Sequence, residues 1–405
     1  MTTARTATPS TARAINDRLA LDLLLRHGTL TATELHSLTG LSRPTVSDLL
    51  ERLQRGGLVT LVGERGEQRR GPNARVYGLR YDRAQLAGID VRTAGVTLAV
   101  ADLAGRTLAT AAVPVDPADP PADVAERVLR TLLDTAEQAG ATRLHTVAVG
   151  APGLVDPATG ELNSARSLPR WHAELVTVLR AGLTGEVILE NEVNLAGIAE
   201  HRIGAAVDRD TFVLLWLGHG VGAAVLLDGR LRRGFSGGTG EIAFLPVPGT
   251  NGLPSATACE GGFHSLAGSA AVCELARAHG LVPPVPPASG VSGAGEDDAA
   301  AAEAVVLAAV ADEAAGGPFL DALAERVALG AAGVCVILDP GCLVLGGEIG
   351  RAGGSALADR VAARLAALSP LRTEVRAGAA GGGAVLSGAV LTASDAVCLD
   401  LFGDV

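Results

Sequence analysis

The sequence predicts an α/β protein with a small helical head, closed by a β-hairpin, and a larger body of two lobes. Residues 13–80 show three short helical patterns separated by turns, followed by two strand patterns with a polar loop between them. From residue 87 onward, groups of strands alternate with helices. A chain of 405 residues is also too long for one small core, so we expect two or three folding units.

The composition indicates how the core is built and where the charge lies. Apolar residues make up 48% of the chain and aromatic residues only 2%, so the core must consist of Ala, Val and Leu. The basic residues are all arginine. Residues 1–80 hold twelve Arg and seven Asp or Glu, a net +5, and the overall net charge of -11 leaves -16 for the rest. A basic head on an acidic body indicates that only the head meets polyanions.

The head has the element order of a winged helix-turn-helix. A first helix is expected over 15–26, and Thr31 begins the second, with Glu34 at capping-box spacing. Gly40 ends that helix, and Ser42 opens the third. The apolar spacing of the third helix predicts a buried face of Val46, Leu49, Leu50 and Leu53. The strands LVTLV and RVYGL, with the loop GERGEQRRGPNA between them, then predict a hairpin wing.

This order of elements predicts binding to double-stranded operator DNA. In such a motif the start of the third helix reaches base edges in the major groove, and the wing contacts phosphates or the minor groove. The predicted DNA-binding residues are Ser42, Arg43, Thr45 and Ser47 in the helix and Arg69, Arg70 and Arg75 in the wing. The alternative is a helical bundle with a solvated arginine face, but the coincidence of helices, cap and wing favours DNA binding.

The remaining segments suggest a cytoplasmic protein. Residues 1–12 are rich in Thr, Ala and Pro and are expected to form a disordered tail, and 81–86 form a linker between head and body. The five cysteines are odd in number and form no CxxC pair, so we interpret them as buried, reduced thiols. We expect neither a signal peptide nor a membrane span.

The body begins with three strands over 87–115 and a helix over 122–139. Strands and helices recur beyond this unit, which predicts two lobes, 87–205 and 206–405, with the C-terminal helix returning to the first lobe. The body resembles the ROK family of repressors, uncharacterised reading frames and sugar kinases. The matching blocks are GAPGLVDPATGELNSA (150–165), ENEVNLAGIAE (190–200), LGHGVGAAVLLDGRLRRGFSGGTGEIAF (217–244) and LDPGCLVLGGEI (338–349).

The resemblance covers nearly the whole chain and implies a hexokinase/actin-like (ribonuclease H-like) fold with sugar bound between the lobes. Within the family, an N-terminal winged head marks the repressor branch. Gly218, Gly220 and Gly222 keep a glycine turn that contacts nucleotide in the kinases, and we interpret it here as a tight hairpin turn.

The residues that a family kinase needs are altered. Kinases of the family begin the body with Asp-x-Gly-Gly-Thr; here Asp90 remains, but Arg92 and Thr93 replace the glycines and would crowd a phosphate. The family's catalytic carboxylate is the Asp of an Asn-Asp pair, whereas this chain has Asn191-Glu192, whose carboxylate is displaced by one methylene. We therefore predict no catalytic residue and no phosphoryl transfer.

The family's structural zinc is not expected either. Zinc-bearing members carry a His that corresponds to Phe244 and a cysteine cluster of which only Cys259 lies nearby. Together with His264 this gives two ligands at most, where a structural zinc site needs four. We predict no metal and no cofactor.

By resemblance, the candidates for sugar binding are Asn191, Glu192, Glu241 and His264. Glu192 has an alternative reading as a polar residue at a helix start, and His264 as a structural histidine. The leading hypothesis is a dimeric repressor controlled by a small carbohydrate or phosphosugar. The alternatives are an active ATP-dependent sugar kinase with a fused DNA-binding head, and a ligand-independent dimeric regulator.

Overall fold

The fold is seen in a computed structural model that describes residues 9–65, 73–116, 118–163, 171–255, 258–283 and 294–402. The head contains three helices and a three-stranded antiparallel sheet of order β1-β3-β2. Its elements are α1 (Pro9–His27), β1 (Thr29–Thr31), α2 (Ala32–Thr39), α3 (Arg43–Arg55), β2 (Val59–Arg65) and β3 (Ala74–Leu79).

The local sequence signals explain where the helices of the head begin and end. Thr31 caps α2 in a reciprocal capping box with Glu34, and Gly40 ends that helix with a left-handed φ of 69°. Ser42 caps α3, which buries the four apolar residues predicted from its spacing. The first helix begins at Pro9, so residues 9–12 are helical and the disordered tail expected over 1–12 is wrong for them. Residues 1–8 lie outside the described ranges.

The first lobe is built on a five-stranded sheet of order β10-β7-β4-β5-β6. The strands β4, β5 and β6 form an antiparallel meander, and β7 and β10 run parallel to β4. The elements are β4 (Gln85–Arg92), β5 (Gly95–Asp102), β6 (Thr107–Pro114), α4 (Pro121–Gln138), β7 (Leu144–Ala151), β8 (Leu154–Val155), β9 (Leu162–Asn163), α5 (Trp171–Gly182), β10 (Glu186–Asn191) and α6 (Glu192–Ile203).

The second lobe repeats this topology in a sheet of order β13-β12-β11-β14-β15. Here β11, β12 and β13 form the antiparallel meander, and β14 and β15 run parallel to β11. The elements are β11 (Phe212–Leu217), β12 (Val221–Leu227), β13 (Arg230–Leu231), α7 (His264–Ala267), α8 (Ser269–Ala278), α9 (Ala294–Ala311), α10 (Glu313–Leu338), β14 (Cys342–Gly346), α11 (Gly347–Leu368), β15 (Glu374–Ala377) and α12 (Ala384–Phe402).

The C-terminal helix α12 packs against β4 and β7 of the first sheet and against α6. Among the described residues it is the one helix with the length and apolar composition of a membrane span, and half of that stretch is buried inside the body. Its close packing against three elements of the body marks it as a core helix.

Three buried clusters hold the molecule together, and Ala, Val and Leu dominate all three, as the composition predicts. One lies within the first lobe with α4 and α5, and one within the second lobe with α8 to α11. The third runs from α1 and α3 of the head through α6 and α12. Head and body therefore share one continuous core.

The predicted linker is short and held in place. A 3-10 turn at Tyr81–Arg83 leads almost directly into β4 at Gln85. The Leu103 amide donates to the Tyr81 carbonyl over 3.2 Å, and the Arg106 guanidinium lies 4.1 Å from the Tyr81 ring centroid. The head is thus fixed to the turn between β5 and β6.

Candidate functional site

The first candidate surface is the exposed N-terminal half of α3. The side chains of Ser42, Arg43, Thr45 and Ser47 are all exposed, so the fold presents the predicted helix residues to solvent together. Ser42 accepts a hydrogen bond from the Thr45 amide at 3.3 Å, and their hydroxyls lie 2.8 Å apart. These two side chains therefore also stabilise the start of the helix, which leaves Arg43 as the long side chain best able to reach a base edge.

The wing is only partly described. Arg75 is exposed on β3, opposite Glu64 of β2, whereas Arg69 and Arg70 lie outside the described residues. Arg65 on β2 is a further wing arginine, which was not predicted from the sequence. Its guanidinium donates to Glu34 of α2 over 2.9 Å, and this pair ties the wing to the helix-turn-helix.

The second candidate site is a cavity of about 310 Å³ between the lobes. All four candidate sugar-binding residues line it, although they come from segments that are far apart in the sequence. Asn191 and Glu192 enter at the start of α6, Glu241 from the loop after β13, and His264 from the start of α7. Further lining residues, not singled out from the sequence, include Gly153, Trp216 and Thr239.

Asn191 organises the edge of this cavity. Its carbonyl oxygen caps α6 by accepting from the amides of Val193 and Asn194 at 2.9 and 3.2 Å. Its amide nitrogen donates to the Gly153 carbonyl at 3.1 Å and to Glu192 Oε2 at 2.9 Å. With donor and acceptor both engaged, Asn191 orients Glu192 and holds the glycine loop after β7.

The two carboxyl groups of the cavity both hold their protons more tightly than usual. Burial raises the pKa of Glu192 from 4.5 to about 8, and nearby Arg92 only partly opposes this effect. Partial desolvation in the cavity also raises the pKa of Glu241, although this residue stays open to solvent. A carboxyl group that is protonated near neutral pH can donate as well as accept a hydrogen bond, which suits a sugar hydroxyl.

The residues present do not fit the structural zinc of the family. Phe244 lines the cavity at the position implied for a His ligand, and its ring offers no ligand atom. Burial lowers the pKa of His264 and favours its neutral form. In the described ranges, no three His, Cys, Asp or Glu side chains lie together as a possible metal site. Cys259 lines the cavity and is only half-buried, so its prediction as a buried thiol is wrong, whereas the other four cysteines are buried.

An ion-pair cluster occupies the altered phosphate loop. Arg92 at the end of β4 donates to Asp90 over 2.9 Å and to Glu348 of the second lobe over 3.2 Å. Its guanidinium also lies 5.8 Å from the ring centroid of Trp216. Burial raises the pKa of Asp90, while the Arg92 charge counteracts the rise. The cluster was missed from the sequence because Glu348 is 256 residues from Arg92.

Gly218 and Gly220 lie in the turn that joins β11 to β12, which confirms the predicted hairpin. Gly220 of the turn and Gly222 at the start of β12 also border the cavity. The Glu348 carboxylate is packed so closely on Gly218 that a side chain there would collide with it. Glu348 thus fills space beside the turn that the resemblance assigns to nucleotide.

A second ion pair connects the lobes near the cavity. Arg233, which follows β13, donates to the buried Glu190 at the end of β10 over 2.6 Å. The other oxygen of Glu190 accepts from the side-chain amide of Asn194 at 2.9 Å and from the backbone amide of Asn191 at 3.0 Å. The charges of Arg92 and Arg233 are therefore offset by carboxylates.

Two family models match this chain. Residues 86–395 match the ROK family and residues 15–71 match the MarR family. Among curated proteins, the chain is similar to the xylose repressor of Caldicellulosiruptor bescii, with 23% identity over 58% of this chain and 59% of the repressor. The glucokinase of Thermotoga maritima is 28% identical over 57% of this chain and 71% of the kinase. The chain thus spans about three-fifths of the length of the xylose repressors it matches.

Solved structures show the same architecture. A ROK family transcriptional regulator, described as a homolog of the Escherichia coli MLC protein, superposes with a TM-score of 0.72 at 19% identity, over 96% of this chain and 99% of that chain. A ROK family glucokinase from Streptomyces griseus, in complex with glucose and AMPPNP, gives a TM-score of 0.62 at 23% identity, over 77% of this chain and all of that chain. The ROK match covers nearly the whole body and the regulator matches head and body together, so the chain belongs to the ROK family and carries a MarR-type winged helix-turn-helix at its N-terminus.

Proposed function

We propose that the chain is a cytoplasmic transcriptional repressor whose affinity for operator DNA is changed by a sugar, without phosphoryl transfer. The observation that carries the proposal is the combination, in one chain, of an exposed N-terminal half of α3 with a cleft in which Arg92 of the altered phosphate loop is paired with Asp90 and Glu348. The similarity to proteins described as xylose repressors supports the same conclusion.

The cluster at Arg92 supports the proposed absence of kinase activity. A phosphoryl-transfer site needs backbone amides and a metal-holding carboxylate free to meet the phosphates. Here the Asp90 carboxylate accepts from Arg92, and Glu348 packs on Gly218 where a nucleotide would bring further negative charge. Glutamate at position 192 in place of aspartate adds a displaced carboxylate, so the site lacks several requirements at once.

The charges around the cavity favour a neutral sugar over a phosphosugar as the effector. Glu192 and Glu241 line the cavity, and the nearby arginines 92 and 233 are already paired with carboxylates. Of the described residues, neither Arg92 nor Arg233 is left unpaired to compensate a phosphate group as it is desolvated. The cavity volume of about 310 Å³ lies at the small end of ligand sites, which suits a monosaccharide.

We further propose that the active form is a homodimer that associates with the nucleoid through its operators. A winged helix reads one half-site, and recognition of two half-sites about one helical turn apart requires two heads in fixed relation. The short, pinned connection at Tyr81–Arg83 supplies such a fixed relation within each subunit.

Two measurements on the full chain test this function. Isothermal titration calorimetry should detect binding of at least one neutral monosaccharide from a panel that includes D-xylose and D-glucose, and no binding of the matching sugar phosphates. A coupled ATP assay with the same panel should show no sugar-dependent ADP formation. Tighter binding of a sugar phosphate would contradict the proposed ligand class, and turnover of ATP would instead support the kinase alternative.

A further inference from the structure

The C-terminal helix α12 is locked against the elements that carry the cavity. Gly388 of α12 lies so close to the Leu195 carbonyl of α6 that an added Cβ would overlap it. On the neighbouring face, a Cβ on Gly88 of β4 would lie 2.8 Å from the Val390 side chain. Because packed interiors deform little, α12 must follow any shift of α6, the helix that begins with Glu192 beside the cavity.

The far end of α12 contacts the first helix of the head. Arg18 of α1 donates to the Cys398 carbonyl over 3.3 Å, and its guanidinium lies 5.8 Å from the centroid of the Phe402 ring. Buried residues of the two helices belong to one apolar cluster, namely Ala20, Leu21 and Leu24 of α1 and Ala393, Val397, Cys398 and Phe402 of α12. The head therefore rests on the end of α12 and is not suspended from the linker alone.

A further contact ties α12 to the connection between head and body. The Ser394 hydroxyl donates to the Leu103 carbonyl at 2.8 Å, and the Leu103 amide donates to the Tyr81 carbonyl at 3.2 Å. The linker and α1 are thus both fixed to α12, at positions one to two turns apart on that helix.

Asp17, the residue next to Arg18, contacts α3. Asp17 of α1 accepts from Arg52 Nε of α3 at 3.0 Å, and both side chains are largely shielded from solvent. Arg52 also donates to Asp48 in the exposed half of α3 at 2.8 Å. Successive residues on a helix point about 100° apart. Asp17 and Arg18 therefore connect α1 to two different neighbours, α3 on one side and α12 on the other.

We propose that α12 and α1 form a relay, in which the contact of Arg18 with Cys398 and Phe402 transmits sugar occupancy of the cavity to α3. The relay rests on the proposed function as a sugar-responsive regulator and adds its physical route. Closure of the lobes around a sugar moves α6, α12 follows through the Gly388 contact, and α1 carries α3 with it through Asp17. The two arrangements then differ in DNA affinity, as any allosteric effect requires.

The test compares Arg18→Ala with Arg26→Ala, which removes an exposed arginine from the last turn of the same helix. DNA is selected by the full parent chain from fragmented genomic DNA, and the sugar is the member of the neutral panel that most raises the Tm of the parent. For each protein, anisotropy titrations give the DNA Kd with and without saturating sugar, and calorimetry gives the sugar Kd.

The relay predicts that Arg18→Ala keeps the sugar Kd and the sugar-free DNA Kd within about threefold of the parent, while the sugar response falls from at least about fivefold to less than about twofold. Arg26→Ala should respond as the parent does. A parental response in Arg18→Ala, or an equal loss in Arg26→Ala, overturns the relay. If no panel sugar binds the parent, or if a bound sugar leaves parental DNA binding unchanged, the proposed function itself fails.

A second variant guards against misfolding of Arg18→Ala. Phe402→Leu removes the ring beneath the Arg18 guanidinium while keeping an apolar side chain at the end of α12. A reduced sugar response of DNA binding is expected here too, with unchanged sugar binding. A full response in Phe402→Leu combined with loss of sugar binding in Arg18→Ala would show a purely structural role and overturn the relay.

Discussion

Glu192 shows how one side chain combines a helix start with a binding cavity. Its position as the first residue of α6 is the structural role that the sequence left open, and its side chain also lines the cavity beside Glu241. Its position is therefore compatible with either role. Its role toward a sugar remains a prediction, which its pKa makes accessible to experiment.

The raised pKa of Glu192 gives a pH-dependent stability. Between pH 4.5 and about 8 the folded chain keeps a proton on Glu192 that the unfolded chain has released, so the free energy of unfolding falls as pH rises through this range. Glu192→Gln removes this titration with little change of shape. Its stability advantage over the parent should grow from pH 6 to pH 8.5, reaching on the order of a few kcal/mol.

Urea unfolding of both proteins across this range measures the difference, and Glu325→Gln on the exposed surface of α10 serves as the control. A constant difference between parent and Glu192→Gln at all pH values would show that Glu192 is ionised throughout. The pH profile of Glu325→Gln should follow that of the parent.

Arg43 is the residue on which base recognition should depend most. It is the first residue of α3, it is exposed, and its capping neighbours Ser42 and Thr45 are already engaged with each other. Arg43→Ala should weaken binding to the selected DNA by roughly 1–3 kcal/mol and weaken binding to random-sequence DNA much less. Anisotropy titrations on both DNAs measure this, and equal weakening would make Arg43 a phosphate contact.

Among the helices, α12 joins the first lobe to the head through its contacts with α6, β4, β7 and α1. The close approach of Gly388 to α6 predicts that Gly388→Ala lowers the free energy of unfolding by about 1–3 kcal/mol through overpacking. Gly383→Ala, just before the helix, is the matched control because an added Cβ there meets no atom within 4 Å. Urea denaturation measures the free energy of unfolding of both variants. Equal values would show that the α6–α12 contact has room for an added methyl group.

Local elements were predictable wherever a terminal signal marks them. The limits of α2 were predicted from Thr31 with Glu34 at its start and Gly40 at its end, and the start of α3 from Ser42. These signals are readable because capping depends on residues close in sequence. The start of α1 at Pro9 was missed because no comparable cap precedes it in a segment rich in Thr and Ala. The glycine turn at Gly218 was predicted as a hairpin, but not the carboxylate that packs on it.

At the scale of the whole molecule, the two lobes and the gathering of Asn191, Glu192, Glu241 and His264 around one cavity followed from the resemblance. The ion pairs across the cleft could not be predicted from the resemblance. Arg92 pairs with Glu348 and Arg233 with Glu190 over long stretches of sequence, and side-chain pairing of this kind has no periodic signal. The shared core of head and body was missed for the same reason, since α1 and α12 lie at opposite ends of the chain.

If a sugar bound between the lobes changes DNA binding at the head, a DNA titration with and without that sugar will detect the change. The full chain is titrated onto selected genomic DNA with and without the bound neutral sugar, in parallel with Glu241→Ala and with Glu325→Ala as the surface control. The parent and Glu325→Ala should change their DNA Kd by at least about fivefold on adding sugar. Glu241→Ala should match the sugar-free affinity of the parent and lose the response. An unchanged DNA Kd for the parent at a sugar concentration that saturates the cavity would contradict the account.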